Sequence, residues 1–152
     1  MSLGTQIYLE AVIKESLRLY PPAPLLLRKV ENDVEMPSGL ILPKDTGVVI
    51  NVFATHRNTK YWGDDAEEFR PERFLEGPLT HPAAFLSFSN GPRNCIGYRY
   101  AIMSMKTVLS TMLRKYRIRP HVKDDMGKPI DVKFDIMLRA TDGFQVILQP
   151  RT

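Results

Sequence analysis

Apolar residues recur at three- and four-residue steps in two stretches of the chain. The first runs from about Thr5 to Tyr20, where Leu9, Val12, Ile13, Ser16, Leu17 and Tyr20 keep helical spacing. Pro21 and Pro22 lack the amide hydrogen that would continue the ladder, so the spacing predicts a helix that stops there. The second runs from about Tyr98 to Tyr116. Tyr98, Ala101, Ile102, Met105, Val108, Leu109, Met112, Leu113 and Tyr116 form its apolar stripe, the cleanest amphipathic helix in the chain. Arg114, Lys115 and Arg117 fall at its C-terminal end, where the helix dipole favours cations.

Elsewhere the pattern changes. Leu25–Val30, Leu40–Leu42 and Val48–Phe53 read as strands, separated by the turn signals Pro37-Ser38-Gly39 and Pro43-Lys44-Asp45-Thr46-Gly47. Val132–Ala140 and Phe144–Gln149 flank Thr141-Asp142-Gly143 and predict a C-terminal β-hairpin. From Ala54 to Ala84 periodicity fails. A segment that long without regular structure is uncommon inside a compact domain and often functional. Short helical turns are expected there, pinned by Trp62, Phe69 and Phe74. The fold class is therefore α+β: two main helices, small antiparallel sheets, a long meander and a C-terminal hairpin.

Composition narrows the function classes. The 152 residues are 43% hydrophobic and 25% charged, ordinary for a globular domain and unlike disordered, collagenous or coiled-coil chains. No apolar run is long enough to cross a membrane, and Met1-Ser2-Leu3-Gly4 does not open a secretory signal. Twelve prolines, more than average usage, confine long helices to the two stretches above. The net charge of +4 is mild, with loose basic clusters at Arg93–Arg99 and Arg114–Arg119. They read as a solvated face or a docking face for an acidic protein. No helix-turn-helix or aromatic-interleaved basic pattern suggests nucleic acid.

A single cysteine, Cys95, excludes an internal disulfide and any multi-cysteine metal centre. A lone cysteine is ordinarily a small buried hydrophobe. Its neighbours point elsewhere. Gly91, Pro92 and Gly97 constrain the loop, the start of the second helix follows at once, and Arg93 adds a positive charge. All three favour a thiolate, the form that attacks or binds metal. Phe88 is placed to shield one side of the sulfur. A phosphatase-type loop requires an arginine six positions after the cysteine, where Ala101 stands. A cysteine hydrolase requires His56, His81 or His121 to be brought in by folding. A single axial thiolate on haem iron requires no other protein ligand.

Glu15 and Arg18 lie three apart on one helical face, which by itself is an exposed ion pair. Pro71-Glu72-Arg73-Phe74 offers a second arginine from the irregular segment. A carboxylate held between Arg18 and Arg73 would latch that segment to the first helix by bidentate bonds.

Three motifs thus follow in order: Glu15-x-x-Arg18, Pro71-Glu72-Arg73-Phe74, and Phe88-Ser89-Asn90-Gly91-Pro92-Arg93-Asn94-Cys95-Ile96-Gly97. The series resembles the C-terminal portion of the cytochrome P450 family, the haem-thiolate monooxygenases, and specifically the animal microsomal branch that includes fatty-acid ω-hydroxylases. It covers nearly the whole chain. The resemblance implies that Cys95 is the iron ligand, that Arg93 and Arg28 reach haem propionates, that Phe88 covers the proximal face, and that Gly97 allows close approach of helix and porphyrin. It implies that Glu15, Arg18 and Arg73 form the structural triad. Ala23–Leu27 and the Thr141–Phe144 tip match regions that line a pocket for an apolar substrate. The basic residues after Cys95 resemble the docking face for an NADPH–cytochrome reductase, and the implied location is the endoplasmic reticulum membrane. Family members are several times longer. The chain is therefore expected to be a partial domain (residues 1–152), a truncated product, partial gene model or expression fragment. It would lack the N-terminal anchor and the central oxygen-activating helix, and would be inactive alone. The alternative is a non-catalytic or vestigial haem-binding fragment. Asn58-Thr59 depart from the family's common Asp-Pro, a loop variation.

Overall fold

A computed structural model describes residues 3–121, 130–141 and 143–151. The first helix, α1 (Leu3–Leu19), buries Leu9, Ala11 and Ile13 and ends one residue before the proline pair, its final turn closed by Tyr20 N–H donating to the Ser16 carbonyl at 2.8 Å. Strand β1 (Leu25–Lys29) follows, then the short β2 (Val34–Glu35) and β3 (Ile41–Leu42), then β4 (Gly47–Asn51). β1 pairs antiparallel with β4 from Leu25 opposite Asn51 to Lys29 opposite Gly47, and β2 pairs with β3 around the Pro37-Ser38-Gly39 turn. The last strand of this group stops two residues short of the expected Phe53. Asn51 Oδ1 accepts the Ala54 amide at 2.9 Å and so caps the short helix α2 (Val52–Thr55).

The aperiodic stretch contains α3 (Thr59–Trp62) and a 3₁₀ turn at Pro71–Phe74. Asn58, where Asp-Pro was the expected pair, is the N-cap of α3, its side chain accepting from the Lys60 amide at 3.0 Å. Trp62 is buried with Ala66 and Ala84, and Phe74, Leu79 and Phe85 pack against them. Phe69 does not share in this pinning: it stands 52% exposed.

Helix α4 (Tyr98–Lys115) crosses α1. Its Ile102 joins Leu9 and Ile13 in the main core, with Leu17, Phe88, Met105, Leu109 and Leu113 around them. Val108, expected in the inward stripe, faces out with Tyr100 and Met103. The C-terminal strands are β5 (Tyr116–Pro120), β6 (Val132–Phe134), β7 (Leu138–Ala140) and β8 (Val146–Pro150).

The C-terminal pairing corrects the sequence expectation. Val132–Ala140 is not one strand turned by Asp142-Gly143. β6 and β7 form a hairpin of their own, Val132 opposite Ala140, and β8 returns to β5, Tyr116 opposite Pro150. Thr141 closes the small hairpin by donating both N–H and Oγ1–H to the Asp131 carbonyl, which frees the chain beyond it. Asp142 lies outside the described residues. The hairpin docks on the rest through Leu138 N–H to the Pro22 carbonyl at 2.9 Å and an edge-on Phe53–Phe134 contact at 5.2 Å. Large apolar side chains are left uncovered, among them Leu27, Ile96, Tyr100 and Met103.

Candidate functional site

Two polar constellations flank the core, and the first is closed. Glu15 and Arg18 are fully buried on α1 and meet in a fork: Arg18 Nε and Nη2 donate to the two carboxylate oxygens at 2.8 Å each. Arg18 spends its remaining hydrogens on the carbonyls of His56, Ala66 and Glu68, and its guanidinium lies 5.0 Å from the Trp62 ring. Glu15 Oε1 also accepts from Arg73 Nε at 3.0 Å and from the Arg70 amide at 2.8 Å. Arg73, buried in turn, reaches the Trp62 carbonyl and Asp65. Arg73 first, and then Arg70, hold the Asp65 carboxyl below its ordinary range. One carboxylate thus serves two guanidinium groups and a backbone amide, and ties the meander to α1. No buried side-chain nitrogen or oxygen among the described residues lacks a partner.

His56 completes this region, and nothing in its sequence neighbourhood announces it. It is fully buried between Phe85, stacked at 5.5 Å, and Trp62. Its Nε2 accepts the Leu86 amide at 2.7 Å, so the proton sits on Nδ1 and is donated to the Arg18 carbonyl at 2.9 Å. Burial pushes its pKa down to about 4. His56 therefore couples the latch to residue 86, the approach to the cysteine. Ser87 Oγ then donates to the Leu17 carbonyl at 2.8 Å.

The second constellation is open. After Phe88 the chain turns through Ser89 and Asn90 into a 3₁₀ turn, Gly91–Arg93, and every residue from Asn90 to Ile96 is exposed. Gly91 has φ 78, where a Cβ is strained. Asn90 Oδ1 accepts the Gly91 amide, and Asn94 N–H donates to the Gly91 carbonyl at 3.1 Å. Cys95 N–H donates to the Phe88 carbonyl at 2.8 Å, which sets the sulfur at the solvent edge just before α4. Phe88 is half-buried against the main core, its ring edge-on to Tyr98 at 4.7 Å. A Cβ on Gly97 would stand 3.8 Å from Cys95 Sγ, filling space beside the sulfur. Arg28 reaches over from β1, donating to Ser89 Oγ at 2.7 Å and to the Arg93 carbonyl at 3.5 Å. Among the described residues neither Arg28 nor Arg93 meets a carboxylate.

The hydrolase alternative loses its base. Both nitrogens of His56 are engaged in backbone bonds, His81 Nδ1 accepts the Ala83 amide, and no described hydrogen bond joins a histidine to Cys95.

Comparison with known proteins decides the family. The family model described as Cytochrome P450 matches residues 5–148. The chain belongs to the cytochrome P450 family. Among curated relatives from Drosophila melanogaster, "Cytochrome P450 4p1" is 42% identical over 147 residues, covering 95% of this chain and 28% of its own. "Cytochrome P450 4c3" is 41% identical over 146 residues, covering 95% and 26%. "Probable cytochrome P450 313a1" is 47% identical over 113 residues, covering 73% and 23%. The chain thus spans about a quarter of the length of the curated relatives it matches.

The cytochrome P450 family is haem-dependent, and the residues present fit that group. A porphyrin iron takes a soft sulfur ligand, and Cys95 offers an uncovered sulfur. A flat apolar ring needs an apolar border, and Ile96 is fully exposed. Two propionates need cations without acid partners, and Arg28 and Arg93 are such cations. No described helix is long and apolar enough to cross a membrane.

Proposed function

We propose that this chain carries the haem-thiolate site of a monooxygenase, with Cys95 as the protein ligand to iron. The observation that carries this reading is the open cysteine loop. Its backbone is held by the Phe88 carbonyl, its sulfur is uncovered, and at its rim stand two guanidinium groups that meet no acid among the described residues. Haem, when bound, supplies the activation of oxygen: with electrons from a reductase, one oxygen atom enters an apolar substrate and the other leaves as water.

The residues of this chain do the rest. Cys95 would hold the iron through its sulfur, and a thiolate ligand there would supply the electron density that favours O–O cleavage. Arg93 and Arg28 would bind the propionates by charge-assisted bonds and so orient the ring. Phe88 would shield the inner side of the sulfur from water, and Gly97, with no Cβ beside the sulfur, would leave room for the ring near α4. Glu15, Arg18 and Arg73 act as a structural latch that keeps the meander and the cysteine approach in register. Exposed Arg99, Arg114, Lys115 and Arg117 on and after α4 suit an acidic flavoprotein reductase. The endoplasmic reticulum membrane is the location we assign to the working protein.

A second reading is favoured by the exposure of the loop. With every residue from Asn90 to Ile96 in solvent, the 152-residue chain on its own holds haem without sustained turnover, because an open site does not exclude water. Both readings begin from one experiment. The purified chain is loaded with hemin, reduced and exposed to carbon monoxide. The long-wavelength absorption band of thiolate ligation is expected, and Cys95→Ala should abolish it. A spectrum unchanged by that substitution refutes ligation by Cys95. Hydroxylation of a fatty acid by the chain with reductase would overturn the second reading and leave the first standing.

A further inference from the structure

The cysteine loop contains one residue held in a costly backbone conformation without being glycine. Ser89 has φ 62, in the left-handed region that a Cβ disfavours and that glycine adopts freely. Its hydroxyl accepts from Arg28 Nη2 at 2.7 Å, across 61 residues of sequence. The other described bonds of that guanidinium go to the backbone carbonyls of Leu27 at 2.8 Å and Arg93 at 3.5 Å. All three partners are neutral. A guanidinium has five N–H donors in a planar fork, and none of these contacts neutralises its charge. The side chain is therefore oriented while its charge remains unspent.

We propose that Ser89 is a positioning residue: its hydroxyl holds the Arg28 guanidinium at the rim of the Cys95 loop, ready to receive a carboxylate of the porphyrin. This rests on the haem reading above. A long, flexible side chain ordered before binding loses less freedom when the ligand arrives, and the gain appears as slower release. The strained backbone is then the cost of carrying a hydroxyl at this point of the loop. Two substitutions separate the strain from the hydroxyl. Ser89→Gly removes both, whereas Ser89→Ala keeps the strain and removes the hydroxyl.

The test compares wild type, Ser89→Ala and Ser89→Gly, each alone and with Arg28→Ala. Unfolding midpoints without haem should place Ser89→Gly at or above wild type and Ser89→Ala no higher than wild type. Transfer of bound hemin to excess apomyoglobin should be several-fold faster in both serine variants and equal between them. With hemin dimethyl ester, whose acids are blocked, wild type and both variants should transfer at one rate. In the Arg28→Ala background, changing Ser89 should add nothing. The inference is overturned if the serine variants keep hemin as wild type does, if acid and ester respond alike, if the effect survives Arg28→Ala, or if wild type takes up neither porphyrin. Should the acid-specific coupling appear while Cys95→Ala leaves the spectrum unchanged, the thiolate reading fails and the positioning role stands.

Discussion

The latch around Glu15 and the loop around Cys95 are both built from polar residues with arginines at their centre, yet they are finished differently. In the latch every buried side-chain nitrogen and oxygen among the described residues has a partner, and the carboxylate is shared between two guanidinium groups. In the loop the sulfur is exposed and, among the described residues, neither arginine meets an acid; its side-chain bonds go only to neutral partners. A saturated buried network holds structure together, because each group has exchanged water for a protein partner. A site meant for a ligand keeps its side-chain valences open. The two regions are joined by His56 and Ser87, which bond the residues just before Phe88 to the latch and to α1.

The difference can be broken most severely at Glu15. Glu15→Gln keeps the size and removes the charge that compensates two buried guanidinium groups. Removing one partner of a buried ion pair costs about 3–5 kcal/mol. The expected outcome is a chain that unfolds at far lower urea concentration, or is not recovered folded. A loss below about 1 kcal/mol would show that water reaches the network and that it is not closed.

The joint between the regions is sensitive to acid. The folded His56 is held down to about 4, whereas the unfolded imidazole titrates near its ordinary value. Between those values the unfolded chain takes up a proton that the folded one refuses, so the contribution is complete above about pH 6.5 and is lost as pH falls towards 4. Integrated over that window it amounts to about 3 kcal/mol. Urea titrations at stepped pH should show this decline. His56→Gln, which keeps an acceptor for Leu86 N–H and does not titrate, should flatten it. A slope that persists in that variant would assign the acid sensitivity to other groups.

Within the loop only backbone conformation should carry stability. Gly91 has φ 78 and nothing within 4 Å of where its Cβ would stand, so Gly91→Ala meets strain and no clash. About 1–2 kcal/mol is expected, read from the urea midpoint. A larger loss would reveal packing that the exposed loop does not show.

The same contrast explains what could be read from the chain alone. Both long helices and the β1 strand followed from periodicity and prolines, because local pattern sets them. Glu15, Arg18 and Arg73 could be paired before any coordinates because their motifs are specific in type and order. His56 could not: its partners are a carbonyl at the end of α1 and an amide thirty residues on, and backbone groups leave no trace in composition. Ser89 was hidden for a related reason, since a positive φ on serine has no residue signature. Asp142-Gly143 misled because a turn dipeptide specifies a bend and not the strands that pair across it. Thr141 had already closed the β6–β7 hairpin.

The smallest effect is the sharpest test of the division. The Cys95 side chain is exposed and outside both clusters of buried residues, so Cys95→Ala removes no packing and no charge pair. Substitutions at such positions shift stability by at most about 0.5 kcal/mol. The urea midpoint of the haem-free chain should therefore be unchanged, although the same substitution is expected to abolish the thiolate band of the loaded chain. An aromatic disulfide reagent should modify the wild-type thiol without first unfolding the chain, because the cysteine is exposed. A thiol protected until global unfolding, together with a stability loss above about 1 kcal/mol, would place Cys95 in the core. The loop would then belong with the latch, as one more part of the scaffold.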